Sequence, residues 1–289
     1  MVAATTATPA GARPVRAGRR PRLPAWLGTT PFLVYVGIFL LLPTGIVVVN
    51  AFRSPSGALN LSSLKTPFES PDRSYFTGSL ELCLISSVLG AVLGAILAYA
   101  IASGDPDGAV RRLYIAVSGV LAQFGGVTLA FAFVVLIGPV GLLIHASWFY
   151  TFPWGIAVIY TYFQVPLMVL VFLPAIDGLK AQWREASDSL GASSWQYWRY
   201  VGGPLLAPAF FGAALLLFAN ALSAFATIEA WEDQLSYVVP QSISTSLISE
   251  VGLANAHEGD ALALGMIVLV VIVMSCYLLL QRRAGRWQR

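Results

Sequence analysis

The chain has 289 residues, of which 57% are hydrophobic and only 11% are charged. A soluble globular protein carries about 25% charged residues, so this composition excludes an ordinary wetted surface and predicts a membrane protein. The formal net charge is only +3, but the basic residues are unevenly distributed along the chain.

The first 28 residues are rich in Ala, Thr, Pro, Gly and Arg. Such a segment buries too little apolar surface to fold, so we predict a disordered basic tail over residues 1–28. A signal peptide is the alternative, but the apolar run that follows is too long for a signal sequence and is followed by no small-residue cleavage site. We therefore expect residues 29–289 to form a transmembrane domain that keeps its first apolar segment.

Six apolar segments are long enough to cross a bilayer as helices, which takes about 20 residues. No Asp, Glu, Lys or Arg lies between Arg112 and Asp177, and the Gly138-Pro139 pair and Pro153 divide that run into two spans. Short alternating segments typical of a β-barrel are absent from the sequence. We predict an all-α, polytopic membrane protein with six transmembrane helices at about 31–52, 78–103, 113–137, 154–176, 209–229 and 261–280.

Lysine and arginine concentrate on one side of this arrangement. Fourteen of the 17 basic residues precede span 1, follow span 6, or lie between spans 2 and 3 or spans 4 and 5. The other side carries only Arg53, Lys65 and Arg73, with most of the acidic residues. Because basic loops stay in the cytoplasm, we predict that both termini and the segment 177–208 are cytoplasmic.

The sequence lacks the motifs of an ATPase or a membrane-embedded enzyme. Neither lysine, Lys65 nor Lys180, follows a glycine-rich loop, so no P-loop can form, and GxSxG is absent. His145 and His257 lack metal-ligand spacing. They are interpreted as polar residues at the headgroup level, with a functional role as the alternative. We expect no catalytic residue, no metal site and no cofactor bound by this chain.

Small and polar residues inside the spans have two interpretations each. Cys83 and Cys276 make no CxxC motif and are interpreted as buried thiols, with a disulfide or ligand role as the alternative. Gly90 and Gly94 form a GxxxG pattern that predicts close helix packing. Uncharged polar residues are explained by interhelical hydrogen bonds or by a solute passage. They are Asn50, Gln123, Gln164, Asn220 and Ser223, and the last two are the preferred passage candidates because both interrupt span 5 one turn apart.

The cytoplasmic segment between spans 4 and 5 predicts two short helices. Trp183, Ala186 and Leu190 form an apolar stripe on the first, and Gly191 is placed to end it. Ser193 or Ser194 can cap the second, which carries a second stripe of Trp195, Trp198 and Val201. Gly202, Gly203 and Pro204 are expected to end the second helix, and Pro208 to open span 5. The pair is suited either to resting on lipid headgroups or to docking a cytoplasmic partner, and the periodicity does not choose between them.

Some of these residues also resemble a known family. Glu185-Ala186-Ser187, then Gly191 six positions after the glutamate, then Pro204-Leu205 and Pro208 are similar to the EAA loop of type I, MetI-like ABC importer permeases. Ser187 stands where Ala is usual and Gly203 where Leu is usual. The resemblance covers about residues 78–280, and the cytoplasmic loop lies where the family has it.

The resemblance implies a mechanism and a set of partners. The coupling loop, residues 177–208, would sit in a cleft of a separate ABC ATPase dimer that binds ATP and Mg²⁺. Glu185 and Gly191 would be contact and elbow, and Ala186, Ser187 and Leu190 would fill the cleft. Further partners would be a second permease subunit, homologous or identical, an extracytoplasmic substrate-binding protein and membrane lipid, with no nucleic acid. The location would be the plasma or inner membrane.

A weaker likeness concerns the solute. FANALSAFATIEAW at 218–231 and the segment 259–283 resemble the spermidine/putrescine-type permeases, which are kin to thiamine, iron and phosphonate importers. This likeness implies a small polar or cationic solute. A sugar-type ABC permease is the alternative, and an ion-coupled secondary transporter is a further one.

Overall fold

A computed structural model of the chain describes residues 25–52, 72–137, 141–145, 147–231, 238–248 and 253–287. All regular structure within these ranges is helical, which confirms the all-α prediction. The α-helices in chain order are α1 (Ala25–Val36), α2 (Leu42–Ala51), α3 (Asp72–Ala102), α4 (Ala109–Gln123), α5 (Val127–Ile137), α6 (Trp154–Asp177), α7 (Ala181–Ser189), α8 (Ser194–Tyr197), α9 (Gly203–Ser223), α10 (Phe225–Trp231), α11 (Val239–Ile248) and α12 (Leu253–Trp287).

Five helical stretches within the described residues are long and apolar enough to cross a membrane. They overlap predicted spans 1, 2, 4, 5 and 6, and are Thr29–Ala51, Arg73–Ala102, Trp154–Asp177, Ser194–Ser223 and Gly259–Leu279. The predicted span 113–137 is instead a pair, α4 and α5, bent by 97°, which makes a sixth span if counted as one. A single straight helix there is wrong because Gly126 takes a left-handed φ of +79°, which glycine adopts without a steric penalty.

The chain divides into two compact units, Met1–Ile46 and Val47–Arg289. In the first, α1 continues through a π-helical turn, Gly37–Leu41, to Leu42, whose N–H bonds to the carbonyl of Gly37 five residues back. Pro43 follows directly, and a proline ring clashes with the carbonyl four residues before it, so the wider turn relieves that contact. Most of the predicted disordered tail lies outside the described residues, but its last four residues, 25–28, belong to α1.

In the second unit, α3 and α6 pack closely through the GxxxG pattern. A methyl group at Gly90 would lie 2.6 Å from Cβ of Gln164, and one at Gly94 would lie 2.4 Å from Cβ of Met168. Only glycine leaves room for such an approach. The packing prediction for this pattern is therefore confirmed.

Two apolar cores follow α3 and α6 along their length. One contains side chains from α3, α5, α6, α9, α10 and the 3-10 turn Ser147–Tyr150, including Leu82, Leu129, Phe149, Ile156, Ile159, Leu222 and Ile228. The other lies nearer the end of α6 and the start of α9 and includes Ala98, Met168, Val169, Phe172, Leu206 and Leu217. The segment between α6 and α9 therefore emerges from a packed base.

Candidate functional site: the elbow between α7 and α8

The chain turns at Gly191, where α7 ends in a Schellman motif. The N–H of Ala192 bonds to the carbonyl of Ser187 at 3.1 Å, and the N–H of Gly191 bonds to that of Asp188 at 3.0 Å. Gly191 has a φ of +76°, the left-handed conformation that this motif requires. The predicted helix end is confirmed. We call the segment 181–202 the elbow.

The second arm of the elbow begins with a capping box. The Ser193 hydroxyl accepts from the N–H of Gln196, and the Gln196 side chain accepts in return from the N–H of Ser193 at 2.7 Å. This pairing satisfies two backbone donors at the start of α8. The capping serine is thus Ser193, and only Ala192 lies between it and the left-handed Gly191. The two arms are consequently joined by a turn of only two residues, Gly191 and Ala192.

The second arm does not end where the sequence predicted. Trp198–Gly202 form a π-helical turn, and the N–H of Gly203 bonds to the carbonyl of Trp198, so that α8 runs on into α9. Pro204 follows this turn as Pro43 follows the first one. A Cβ on Gly203 would lie only 2.5 Å from the Trp198 carbonyl oxygen. Gly202, Gly203 and Pro204 therefore shape a continuous helix, and Pro208 lies inside it.

The predicted coupling residues lie together on the elbow but differ in exposure. Glu185, Ala186 and Gly191 are exposed, and the Leu190 side chain at the turn is 87% exposed. Ser187 is buried, so in this structure its side chain faces its own chain rather than a partner. Of the three residues expected to fill the ATPase cleft, Ala186 and Leu190 are thus exposed and Ser187 is not.

On the second arm, Trp195 is 71% exposed, whereas Trp198 is half-buried. The Trp198 ring meets the Tyr99 ring of α3 edge to face, with centroids 5.3 Å apart. A second long-range contact precedes the elbow, where Arg111 of α4 forms a salt bridge with Asp177 at the end of α6. The ring contact connects the elbow to α3, and the salt bridge connects α4 to the end of α6 that precedes the elbow.

Arg184 was not singled out by the sequence, yet it contacts both arms. Its guanidinium donates to the Asp188 carboxylate at 3.3 Å and to the Ser194 hydroxyl at 2.8 Å. Its central carbon lies 5.0 Å from the centre of the Tyr197 ring. The spacing of Arg184 and Asp188 is a sequence signal for an ion pair on one helix face. The contacts with α8 depend on the turn at Gly191.

The two passage candidates lie at a second helix break. The Ser223 hydroxyl donates to the carbonyl of Asn220 at 2.9 Å; Ser223 is exposed and Asn220 is half-buried. The helix stops at the next residue, Ala224, whose carbonyl accepts a hydrogen bond from the Tyr160 hydroxyl. Asn220 and Ser223 thus adjoin backbone that has left helical geometry.

This break meets the bend between α4 and α5. The N–H of Gly126 donates to the Thr227 hydroxyl of α10 at 3.1 Å. Irregular backbone at membrane depth is tolerated where protein buries it or where it lines a watery cavity. At the bend, the Gly126 N–H is satisfied by Thr227 of α10, and at the break the Ala224 carbonyl is satisfied by Tyr160 of α6.

Other polar side chains have structural roles. Gln164 is fully buried and donates to the Ser86 hydroxyl at 3.2 Å, which supports the interhelical interpretation. Cys83 is buried, but Cys276 is exposed, so the expectation of two buried thiols is wrong for the second. Among the described residues, no group of His, Cys, Asp and Glu side chains could hold a metal ion.

Residues 84–289 match the family of the binding-protein-dependent transport system inner membrane component. Together with the helical fold, this match shows that the chain belongs to the MetI-like permeases of ABC importers. The family consists of transport subunits of the inner membrane.

Relatives with curated names transport sugars and sulfate. The chain is 27% identical over 212 residues to the trehalose transport system permease protein SugB of Mycobacterium tuberculosis, covering 71% of each chain. It is 29% identical over 142 residues to the sulfate transport system permease protein CysT of Escherichia coli, covering 47% of this chain and 49% of that one. These relatives do not support the polyamine-type likeness.

Solved structures share the fold. A bacterial ABC transporter that imports alginate matches with a TM-score of 0.64 and 19% identity, covering 92% of this chain and 96% of that one. The MetNI methionine ABC transporter matches with a TM-score of 0.55 and 16% identity, covering 75% and 99%. At such identities the likeness concerns the fold alone.

Proposed function

We propose that this chain forms half of the solute pathway of an ABC importer and that a separate ATPase dimer moves it through the elbow. The observation that carries the proposal is Leu190, an apolar residue that is 87% exposed at the hydrogen-bonded end of α7. Single exposed leucines are common on proteins. The N–H of Leu190 bonds to the carbonyl of Ala186, which is also exposed, and Trp195 on the second arm is 71% exposed. The elbow therefore carries several uncovered apolar side chains.

The charges of α7 favour a protein partner over lipid headgroups. Glu185 and Asp188 are exposed on the same short helix as the turn. Arg184 pairs with Asp188, so the Glu185 carboxylate is the net charge of α7. The cytoplasmic leaflet carries a negative surface potential, which would repel that carboxylate. A cleft on an ATPase subunit can instead cover Leu190 and offer cations to Glu185. ATP is bound together with Mg²⁺ and is hydrolysed on that partner, since the sequence of this chain contains no P-loop.

The remaining partners and the orientation complete the proposal. A second permease, identical or homologous, supplies the other half of the pathway, and an extracytoplasmic binding protein delivers the solute. The alginate transporter was solved in complex with an alginate pentasaccharide-bound periplasmic protein, which supports a partner of this kind. Both termini and the elbow lie in the cytoplasm, as the distribution of basic residues indicates.

We further infer that the solute is a sugar rather than a polyamine. SugB, whose name specifies trehalose, covers 71% of this chain. Residues 203–231 contain no lysine or arginine, whereas an oxyanion such as sulfate is usually bound by cationic groups. Asn220 and Ser223 are proposed to line the passage, where uncharged amide and hydroxyl groups suit a neutral polyhydroxylated solute.

The test is recovery of the ATPase subunit with a tagged permease extracted in mild detergent. Leu190→Asp and Gly191→Trp are expected to reduce that recovery at least tenfold, since a buried hot-spot residue contributes about 2 kcal/mol or more to binding. The matched control is Leu142→Asp, because Leu142 is 77% exposed but lies between α5 and α6. It should leave recovery unchanged.

Recovery equal to that of wild type with all three variants would contradict the proposed role of the elbow.

The solute is tested separately, by screening the binding protein of the same importer with trehalose, sulfate and spermidine in a thermal-shift assay. Stabilisation by trehalose supports the sugar assignment, and stabilisation by spermidine alone would restore the polyamine interpretation.

A further inference from the structure

The angle between the two arms of the elbow depends on very few backbone torsions. Hydrogen bonds fix α7 up to Gly191 and α8 from Ser193 onwards. Gly191 and Ala192 lie between them, and a methyl group at Gly191 would meet no atom within 4 Å. Glycine has the softest backbone of any residue. A side chain that contacts both arms is therefore in a position to set the angle.

Among the described residues, the hydrogen bonds and ring contacts of Arg184 join the first arm to the second. One contact is within α7, to Asp188, and two reach α8, to the Ser194 hydroxyl and the Tyr197 ring. Arginine suits this role because its planar guanidinium donates in several directions and also stacks on aromatic rings. Lysine offers a single point charge and cannot reproduce this set of contacts.

Tyr197 extends these contacts into the membrane domain. Its side chain is 5% exposed, and its ring meets that of Trp198 edge to face with centroids 5.7 Å apart. Trp198 in turn contacts Tyr99 of α3 and opens the π-helical turn that leads into α9. The guanidinium thus lies at one end of a continuous row of contacts from α7 to two membrane helices.

We propose that Arg184 is a positioning residue that holds the two arms of the elbow at a fixed angle, so that displacement of α7 by the ATPase is passed to α9. This inference rests on the proposed docking of the ATPase at the elbow. The inference predicts that binding of the ATPase and transmission of its movement can be changed independently. Binding of the ATPase depends on the exposed tip at Leu190, whereas transmission of its movement depends on Arg184.

The experiment uses the importer purified with its ATPase subunit and reconstituted in liposomes. It compares Arg184→Gln, Arg184→Lys and Ser194→Ala with the control Arg199→Gln, since Arg199 is an exposed arginine of the same elbow whose guanidinium lies over the adjacent Tyr200 ring. Three quantities are measured: bound ATPase subunit, ATP turnover at saturating ATP, and the distance between spin labels at Ser189 and the exposed Tyr200.

Arg184→Gln is expected to bind the ATPase within about twofold of wild type while ATP turnover falls about fivefold, a size typical of coupling mutations. The spin-label distances should broaden. Arg184→Lys should not restore turnover, and Ser194→Ala should change both readouts in the same direction but less. The control should match wild type.

Unchanged turnover and an unchanged distance distribution in Arg184→Gln would overturn the inference. So would loss of ATPase binding in that variant, because Arg184 would then be a contact residue. Both results leave the proposed function standing if Leu190→Asp still loses the ATPase. Retention of the ATPase by Leu190→Asp would instead count against the proposed function itself.

Discussion

At the scale of single residues, glycines set how closely the membrane helices approach. A methyl group at Gly94 would lie 2.4 Å from Cβ of Met168 and 2.8 Å from the carbonyl oxygen of Val165. The second contact is with backbone, which cannot rotate away as a side-chain tip can. Relief therefore requires α3 and α6 to separate.

Gly94→Ala is accordingly expected to destabilise the protein by about 1–3 kcal/mol, the usual cost of overpacking, despite the better helix propensity of alanine. The measurement is the thermal unfolding midpoint in detergent. Gly119→Ala in α4 is the matched control, since a methyl group there meets no atom within 4 Å. It should be neutral or stabilising by up to about 1 kcal/mol. Equal midpoints for Gly94→Ala and wild type would show that α3 and α6 adjust freely.

Residue-scale features of the elbow differ in how far the sequence predicted them. The helix end at Gly191 was predicted, and the cap was predicted as Ser193 or Ser194, because a glycine after a polar helix and a serine before the next helix are local signals. The structure selects Ser193, whose side chain pairs with Gln196. The exposure of Leu190 agrees with the suggested cleft-filling role, which itself stays a prediction. The role of Arg184 was not predictable, because its partners on α8 come within reach only after the chain turns.

At the scale of elements, the helix from α8 to α9 shows where local signals mislead. Gly202, Gly203 and Pro204 have the composition of a helix end. The structure uses them differently: the π-helical turn avoids the clash with Pro204, and Gly203 admits the Trp198 carbonyl. The bend between α4 and α5 was missed because its local signal was passed over: Gly125 and Gly126 lie inside a long apolar run that was read as one span.

This difference leads to opposite expectations for Gly203→Leu. The family pattern usually has leucine there, so the resemblance alone expects no harm. The structure places a Cβ 2.5 Å from the Trp198 carbonyl oxygen, so the π-helical turn should be lost. If the π-helical turn becomes α-helical, the hydrogen bonding shifts by one residue and the elbow rotates by about 100° relative to α9. We expect the permease to insert normally while ATP turnover of the assembled importer falls about tenfold or more, as for variants that displace a coupling element.

Gly212→Ala is the control on the same helix, because a methyl group there would lie at an ordinary 3.5 Å from the Tyr277 ring. Its turnover should equal that of wild type. Full turnover in Gly203→Leu would mean that the elbow works without the π-helical turn. The π-helical turn would then not be required for coupling.

At the scale of the whole molecule, the orientation in the membrane is predicted from the distribution of charge alone. Fold class and the number of spans were predictable because apolar length is a global signal. The solute was not, because the likeness of 218–231 and 259–283 to polyamine-type permeases rests on apolar helix sequence that related permeases of other solutes can share. Orientation stays a prediction, and it is open to a direct test.

Three single cysteines report orientation and passage together, in a background where Cys83 and Cys276 are alanine. In intact cells, a membrane-impermeant maleimide should label Leu143→Cys, which lies between α5 and α6 on the predicted outer side and is 75% exposed. Ser189→Cys on α7 should react only after permeabilisation. The reverse pattern would invert the orientation and place the elbow outside, where no ATPase could reach it.

Ser223→Cys is the informative third position, because the thiolate reaction requires water. If Ser223 lines the passage, its cysteine should react with the same reagent, and the rate should change when the assembled importer is trapped with ATP and vanadate. If Ser223 instead faces lipid, no labelling should occur in either state, although its hydroxyl is exposed in the isolated chain. A rate that responds to ATP only when Arg184 is intact would link the elbow to the break at Ala224, 30 residues along the helix from Ser194.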